Sequence, residues 1–330
     1  AAQRANLLFL NEVGADPGID HMQAMRMVHR VQSEGGRVVG LQSVCGGLPA
    51  PEANDNPLGY KISWSPGGVA MSGRRRARYL ENGKVVHVGP YEIFHHARDV
   101  HIAGLGTLQS YANGDSLRFI DEYGLAGLRT IFRGTLRWPG WCETWAALSH
   151  LGWVDDAPDA ALVDTTYADE MLRATGSNRD PNVRSAVARV LKLPSHHSVL
   201  DRLEWLGLFE NAPVPQGSRS RIDLLASSMA ARLAYREQER DMLALHHEIE
   251  FEDGDGRPGK LRSVMIEYGV PGGDSAMART VGIPAALAAH RILDGTIIAR
   301  GVRIPVHAEI YEPILADLAR QGIEDKAERV

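Results

Sequence analysis

Cysteine is scarce in this chain: Cys45 and Cys142 are the two among 330 residues. Two cysteines cannot form the disulfide framework of a small secreted domain, and free thiols are typical of a reducing, cytoplasmic setting. No signal peptide and no apolar run of about 18 residues is present, so the sequence predicts no transmembrane helix. The net charge is −5, and the one basic run, Arg74–Arg76, is short. Neither nucleic acid nor an anionic membrane is therefore indicated as a partner.

A complete phosphate-binding fingerprint is also missing. The motif G-x-G-x-x-G would need three spaced glycines between a strand and a helix, and the segment 104–106 supplies two. The sequence contains no G-x-x-x-x-G-K-[ST] motif either. The chain as given therefore predicts no nucleotide-binding loop of its own.

The composition is that of a globular protein, with 44% hydrophobic and 23% charged residues. The length suggests one large or two ordinary domains. Strand and helix patterns mix without strict alternation, which predicts a combined α/β and α+β fold with a mixed or antiparallel sheet. Strands are predicted at 7–10 (buried), 37–45, 84–88, 129–137, 241–251 and 260–269. Helices are predicted at 21–34, 141–151, 166–209 with breaks at Pro181 and Pro194, 221–240, 275–293 and 304–320.

The stretch 11–21 is the centre of the functional interpretation. Its sequence, NEVGADPGIDH, lies between the first strand and the first helix and contains two glycines, a proline and two aspartates. A tight turn at a helix N-terminus presents backbone N–H groups to a ligand, and ligands of open α/β sheets bind beyond the strand ends. The alternative is that Asp16 caps a turn and Asp20 caps the helix.

Two further residues are predicted at strand ends. Cys45 precedes a loop at 46–59 rich in glycine, proline and asparagine, and its thiol is either reactive or a buried apolar group. Arg137 ends a predicted strand, where a guanidinium either binds a carboxylate or forms a surface ion pair. The neighbouring histidines 95–96 and 246–247 do not favour a metal site, because adjacent strand residues point to opposite faces. The tryptophans are interpreted as core residues, with Leu203, Trp205 and Leu206 in the helical middle.

Several stretches, taken in order, resemble the saccharopine reductases, the glutamate-forming saccharopine dehydrogenases of lysine metabolism. The stretches are 11–21, 45–52 (CGGLPAPE), 55–65 (DNPLGYKISWS), 133–137 (RGTLR), 203–207 (LEWLG), 275–278 (SAMA) and 293–296 (LDGT). The resemblance runs from about residue 7 to the C-terminus, and the segment 45–65 is its most specific part.

The resemblance implies an NADP-dependent oxidoreductase that joins 2-aminoadipate semialdehyde and glutamate as an imine and reduces it to saccharopine, or runs the reverse reaction. It implies the last strand of a Rossmann-type nucleotide domain at 1–20, the rest of that domain being absent from this chain. A substrate-binding and dimerisation domain at 21–272 and a C-terminal segment at 273–330 that returns to the nucleotide domain would follow. A homodimer is expected, with small-molecule substrates as the other partners.

The resemblance also implies roles for individual residues. Asp16 and Cys45 would be the ionisable pair near the reacting carbon. The nicotinamide end of NADP would contact Ala15, Asp16, Pro17 and Ser65. The substrate would contact Asp16, Thr135, Leu136 and Arg137, and no residue is assigned to a metal.

One position departs from the family pattern. The family commonly has an arginine that binds a substrate carboxylate in the stretch Tyr-Pro-Asn-Arg-Asp-Ser, and this chain has Gly114 there, within YANGDS at 111–116. Either a second arginine replaces it or the substrate differs. Two alternatives therefore stay open beside saccharopine reduction: a reductase of a different amino-acid imine, and a non-catalytic module that binds a dicarboxylic amino acid.

Overall fold

The fold is taken from a computed structural model, which describes residues 1–177 and 182–330. Its strands are β1 Leu8–Leu10, β2 Arg37–Pro49, β3 Ala77–Glu81, β4 Lys84–Val88, β5 Arg98–Ile102, β6 Gly106–Ala112, β7 Thr130–Arg137, β8 Asp241–Glu252, β9 Pro258–Tyr268, β10 Gly301–Arg303 and β11 Lys326–Arg329. Its helices are α1 Ile19–Ser33, α2 Pro66–Ala70, α3 Arg118–Glu122, α4 Trp141–His150, α5 Tyr167–Ala174, α6 Val183–Leu191, α7 Ser198–Trp205, α8 Arg221–Arg232, α9 Ala276–Leu293 and α10 Ala308–Arg320. Pro181, predicted as a helix break, lies outside the described residues.

A nine-stranded mixed sheet forms the centre of the described structure. Along its main path the order is β11-β9-β8-β2-β7-β3-β4, and the β5–β6 hairpin joins through β7. Strands β2 and β7 are parallel, whereas β2 and β8 are antiparallel. The prediction of a mixed sheet with helices is therefore confirmed.

The parallel pair is what positions the site. Cys45 of β2 lies opposite Thr135 of β7, and Tyr111 of β6 lies opposite the same threonine. Because parallel strands carry their carboxyl ends to one edge of a sheet, the ends of β2 and β7 open on one cavity. The strand register thus brings together segments that are about 90 residues apart in the chain.

Both faces of the sheet are covered, and β2 shows this most clearly. Val44 and Leu48 belong to one apolar core with the helices of the chain's middle, and Leu41 and Cys45 belong to a second core with α1 and α10. The alternation follows the two-residue period of a strand. Burial on both faces explains why β2 reads as a nearly continuous apolar run.

Four expectations about single elements are wrong. The first strand exists, but it is not buried: within residues 1–177 and 182–330 it pairs only with β10, and Phe9 is 54% exposed. Strand β2 continues through Pro49, because β8 pairs with it to Asp241, so the loop predicted at 46–59 begins later. Helix α8 ends at Arg232 rather than 240, since the next residue's carbonyl accepts a hydrogen bond from Ile62. Trp205 is only partly buried, at the edge of the core.

Candidate active site

In the turn between β1 and α1, the backbones of Gly14 and Gly18 lie close together. The Gly14 amide donates a hydrogen bond to the Pro17 carbonyl at 3.0 Å. Gly18 has a φ of 150°, and a side chain there would overlap the Gly14 backbone. Glycine is therefore required at position 18. The turn exposes Ala15, Asp16 and Pro17, joined by a cis Asp16–Pro17 peptide bond, to one cavity.

That cavity has a volume of about 680 Å³ and lies at the carboxyl ends of β2 and β7. Its walls come from the turn 14–17, from β2, β6, β7 and β8, from the segment 63–75 and from the start of α9. The site residues predicted from the sequence that line it are Ala15, Asp16, Pro17, Cys45, Thr135 and Arg137. Residues from seven separate parts of the chain thus share one pocket.

Arg133 connects the cavity to a second, fully buried carboxylate. Its Nη2 donates a hydrogen bond to Asp16 Oδ1 at 2.5 Å and another to Asp20 Oδ2. The Phe119 ring lies 4.3 Å from its guanidinium carbon. The Asn113 amide donates a longer hydrogen bond, 3.5 Å, to the other oxygen of Asp16. One buried cation therefore both orients Asp16 and balances Asp20.

The two aspartates have opposite acidities. Burial raises the pKa of Asp16 to about 6, and the Asp20 carboxylate adds to the rise although Arg133 opposes it. Burial alone would also raise the pKa of Asp20, but His21 and Arg133 outweigh it and, with the Gly18 amide, hold that pKa at about 2. Asp20 is thus ionised, and Asp16 exchanges its proton close to neutral pH.

Behind these aspartates, a hydrogen-bonded chain reaches toward the surface. His21 is buried, with Nδ1 2.6 Å from the Tyr123 hydroxyl and Nε2 2.7 Å from a Glu12 carboxylate oxygen. Glu12 is partly exposed and accepts a 2.8 Å hydrogen bond from Arg118. Gly18 rather than Asp20 occupies the N-cap position of α1. The interpretation of Asp20 as a simple helix cap is therefore wrong, although its Oδ1 does accept the Gly18 amide.

Arg137 is buried among aromatic rings, with 4% of its surface exposed. Its guanidinium carbon lies 4.9 Å from the ring centre of Tyr60, 5.3 Å from that of Trp141 and 5.7 Å from that of Tyr111. Its Nη1 donates to the Leu136 carbonyl, and its buried Nε has no partner in the described part of the chain. The alternative of a surface ion pair is excluded. A buried guanidinium with an unused donor is a binding group for an anion.

Cys45 is buried beside Thr135 in the strand register, at an interior position of β2 rather than at its end. Burial raises the pKa of its thiol well above the usual range, and the Asp16 and Asp20 carboxylates add to that shift. The thiol is therefore protonated at neutral pH and is a poor nucleophile. Proton or hydrogen-bond donation is the chemistry that remains.

Two of the sequence-predicted residues do not line the cavity. Leu136 is completely buried in the core, and only its carbonyl contacts Arg137. Ser65 is the N-cap of α2, where its hydroxyl accepts the Gly68 amide at 3.2 Å. Its neighbours Trp64 and Gly68 do line the cavity, so Ser65 lies at the rim.

Metal-ligand geometry is absent among residues 1–177 and 182–330, where no group of three or more histidine, cysteine or acidic side chains is placed to hold an ion. His247 is fully buried, burial lowers its pKa to about 4, and neither ring nitrogen has a partner in that part of the chain.

No helix within residues 1–177 and 182–330 is long and apolar enough to cross a membrane.

Comparison with known proteins identifies the family. The family model described as the saccharopine dehydrogenase C-terminal domain matches residues 14–323. The chain belongs to the saccharopine dehydrogenase family. The resemblance inferred from the short stretches is therefore confirmed over nearly the whole chain.

The relatives of this saccharopine dehydrogenase family member include enzymes of fungi and animals. It is 35% identical over 333 residues to saccharopine dehydrogenase [NADP(+), L-glutamate-forming] of Schizosaccharomyces pombe, covering 98% of this chain and 74% of that protein. It is 37% identical to the mitochondrial alpha-aminoadipic semialdehyde synthase of Bos taurus, covering 98% of this chain and 35% of that protein. The apo structure of saccharopine dehydrogenase (L-Glu forming) from Saccharomyces cerevisiae superposes with a TM-score of 0.90 at 34% identity, covering 99% of this chain and 75% of that one.

Sequence reasoning missed the buried partners of this family's signature turn. Arg133 and Asn113 both contact Asp16, and the sequence patterns above predict a role for neither. The signal for Arg133 was present, because a charged residue inside an apolar strand needs a buried partner. Gly114, next to Asn113, has a φ of 72°, and no atom of the residues that the structure describes lies within 4 Å of the position that a Cβ would take.

Proposed function

We propose that this chain supplies the substrate-binding part of an NADP-dependent saccharopine dehydrogenase of lysine metabolism. Its reaction is the reduction of the imine of 2-aminoadipate semialdehyde and glutamate to saccharopine, or the reverse. The observation that carries the proposal is the buried Arg137, which presents an unused donor in the same cavity as Asp16, a carboxyl group with a pKa of about 6. Such a pair suits a substrate that has both a carboxylate to be bound and a nitrogen or oxygen to be protonated.

Asp16 is proposed as the proton donor and acceptor. When the glutamate amine adds to the aldehyde, the resulting carbinolamine loses water only if its hydroxyl group takes up a proton, and a carboxyl group with a pKa of about 6 supplies one. In the reverse direction, the ionised carboxylate accepts a proton from the water that attacks the imine. Arg133 holds Asp16 in place through the 2.5 Å hydrogen bond and is a positioning residue.

Cys45 is proposed as a second, weaker donor beside Asp16. Its thiol is neutral, so it can donate a hydrogen bond to the substrate nitrogen without competing for the electrophilic carbon. Thr135 lies opposite it in the strand register and lines the same wall. We place the substrate's reacting bond between this pair and Asp16, with Arg137 binding one substrate carboxylate and the Leu136 backbone supporting that arginine.

The residues present fit the nicotinamide end of NADP. Ala15 and Pro17 form a small apolar surface in the cavity, and Met277 and Val281 of α9 line it too. Such a surface suits the face of a flat ring. When bound, NADPH supplies the hydride that reduces the imine carbon. Ala15, Asp16 and Pro17 would hold that end, with Ser65 at the rim.

The domain division proposed is 1–20, 21–272 and 273–330. Its support is the separate two-stranded parallel sheet of β1 and β10, which joins the first and last parts and leaves Phe9 and Val302 54% and 69% exposed. An exposed apolar parallel pair is suited to extension by the strands of a Rossmann-type nucleotide domain. Helix α10 also packs on α1, and β11 pairs with β9 of the main sheet. A cytoplasmic homodimer completes the proposal, in agreement with two free, buried cysteines.

The test is the oxidation of NADPH by the purified enzyme with its complete nucleotide-binding domain, in the presence of 2-aminoadipate semialdehyde, with and without glutamate. Oxidation that requires glutamate is the expected result. If oxidation requires a different amino acid instead, the substrate is the imine of that amino acid and the product is not saccharopine. Binding of glutamate without NADPH oxidation, whichever amino acid is supplied, would favour the non-catalytic module and contradict the proposal.

A further inference from the structure

Arg75 is a second arginine in the lining of the cavity, in addition to Arg137. It follows the short 3-10 turn Met71–Arg74 and precedes β3, and its side chain is exposed at the cavity wall. Its neighbour Arg74 forms an ion pair with Asp156. No ion pair or side-chain hydrogen bond joins Arg75 to another residue of the described ranges. Its charge is therefore free to meet a ligand.

The charge balance of the cavity is positive. Asp16 is the one acidic residue among the lining residues that the structure describes, and Arg133 already pairs with it. Arg137 and Arg75 are then both uncompensated. Because two guanidinium groups facing one cavity repel each other without an anion, this arrangement favours a ligand that carries at least two carboxylates.

The position of Arg75 relates directly to the loop that contains Gly114. The Arg78 amide donates a hydrogen bond to the Gly114 carbonyl at 3.1 Å, and the Ser116 amide donates to the Arg78 carbonyl at 2.8 Å. Arg75 is three residues before this contact, at most about 10 Å of extended chain. The loop 113–116, where Gly114 provides no charge, thus lies beside the segment that carries a free guanidinium.

We infer that Arg75 binds a substrate carboxylate different from the one bound by Arg137, and so determines the preference for a dicarboxylic amino acid. This inference rests on the proposed function for the identity of the substrate. The cation is provided by the segment before β3 instead of by the loop at Gly114. Arg75 contacts substrate away from the reacting bond, so its effect falls on affinity and specificity rather than on the chemical step.

The experiment compares Arg75→Ala with Arg76→Ala, a matched control that removes the same charge from an exposed neighbour outside the cavity lining. Binding of saccharopine is measured by calorimetry, together with three analogues that each lack one carboxylate. We expect Arg75→Ala to weaken saccharopine binding roughly 10- to 100-fold, the usual range for a charge-assisted contact, and Arg76→Ala to leave it unchanged. One of the three analogues should bind equally to the wild type and to Arg75→Ala, because that analogue lacks the carboxylate that Arg75 binds.

Three results would overturn the inference. They are equal losses in the two variants, an Arg75→Ala penalty that persists for all three analogues, and wild-type binding of saccharopine no tighter than of every analogue. A denaturation curve for each variant verifies that it is folded. The binding readout does not depend on turnover, so an inactive wild type that binds dicarboxylates through Arg75 would contradict the proposed reaction while supporting this inference.

Discussion

The Nη2 atom of Arg133 lies 2.5 Å from Oδ1 of Asp16 and also donates to Asp20. One guanidinium therefore serves a carboxyl group that faces the cavity and a carboxylate that never meets solvent. The two aspartates, four residues apart, therefore have different roles. Asp20 keeps its negative charge and holds Arg133, and Asp16 keeps a proton that it can exchange.

Asp16→Asn tests this exchange through the pH dependence of the reaction. The pKa of Asp16 is raised to about 6, so its carboxyl group is protonated below that pH and ionised above it. In the direction of saccharopine formation, kcat/KM should fall as the pH rises through about 6, and in the reverse direction it should rise. The asparagine variant should lose both inflections and roughly 100-fold or more in kcat, the usual contribution of acid–base catalysis.

The control for that variant is its unfolding curve in urea. Asparagine preserves the hydrogen bond that Asp16 accepts from Arg133, so the variant should remain folded. An Asp16→Asn protein that is unfolded, or that retains the inflection near pH 6, would return Asp16 to a structural role in the turn.

Arg133→Met should be strongly destabilising. It leaves the ionised Asp20 buried without its cation, and removing one partner of a buried ion pair typically costs about 3–5 kcal/mol in the free energy of unfolding. Adding Asp20→Asn should recover part of that loss, because the uncompensated charge is then gone. Urea denaturation of the two single variants and the double variant measures this coupling. Strictly additive losses would mean that Arg133 and Asp20 do not stabilise each other.

Arg137→Ala should separate substrate binding from cofactor binding. Its side chain is proposed to bind a substrate carboxylate, while the proposed nicotinamide contacts come from the turn at Ala15, Asp16 and Pro17. We expect saccharopine affinity to fall roughly 100-fold, with NADPH affinity changed less than about threefold. Arg137→Lys should recover little, because an ammonium cannot replace a planar guanidinium that lies among aromatic rings. Equal losses for both ligands would contradict the assignment.

Cys45 should behave as a neutral thiol. Burial and the neighbouring carboxylates raise its pKa well above the usual range, so alkylation by iodoacetamide at neutral pH should be at least tenfold slower than that of a free cysteine. Cys45→Ala should reduce kcat moderately without abolishing it. The reference is Cys142, which is also buried and whose pKa burial raises to about 12. Rapid labelling at Cys45 alone would indicate a thiolate and a different role.

The sequence predicted those parts of the fold that depend on local patterns. The strands predicted at 84–88, 241–251 and 260–269 depend on local alternation and are confirmed as β4, β8 and β9. The bounds of β2 and α8 depend on partners far along the chain, namely β8 and Ile62. Local pattern carries no information about those partners, so both ends were misplaced.

In the candidate site, too, local patterns predict some residues and miss those whose partners are distant in the chain. The turn at Asp16 and the strand residue Arg137 were identified because glycine, proline and a charge at a strand end are local signals. The pairing of Arg133 with Asp16 and Asp20 depends on strand register and on the packing of α1, which bring together residues more than 110 positions apart in the chain. Leu136 belongs to the family motif RGTLR at 133–137, but the two-residue period of β7 directs its side chain into the core.

The most direct test of the central proposal is the transfer of deuterium. The purified enzyme with its complete nucleotide-binding domain is given 2-aminoadipate semialdehyde, glutamate and NADPH that carries deuterium at the transferable position of the nicotinamide ring, and the product is analysed by mass spectrometry. The expected product is saccharopine that contains one deuterium, bound to the carbon that was the aldehyde carbon. Unlabelled saccharopine, or deuterium recovered in any other product, would contradict it.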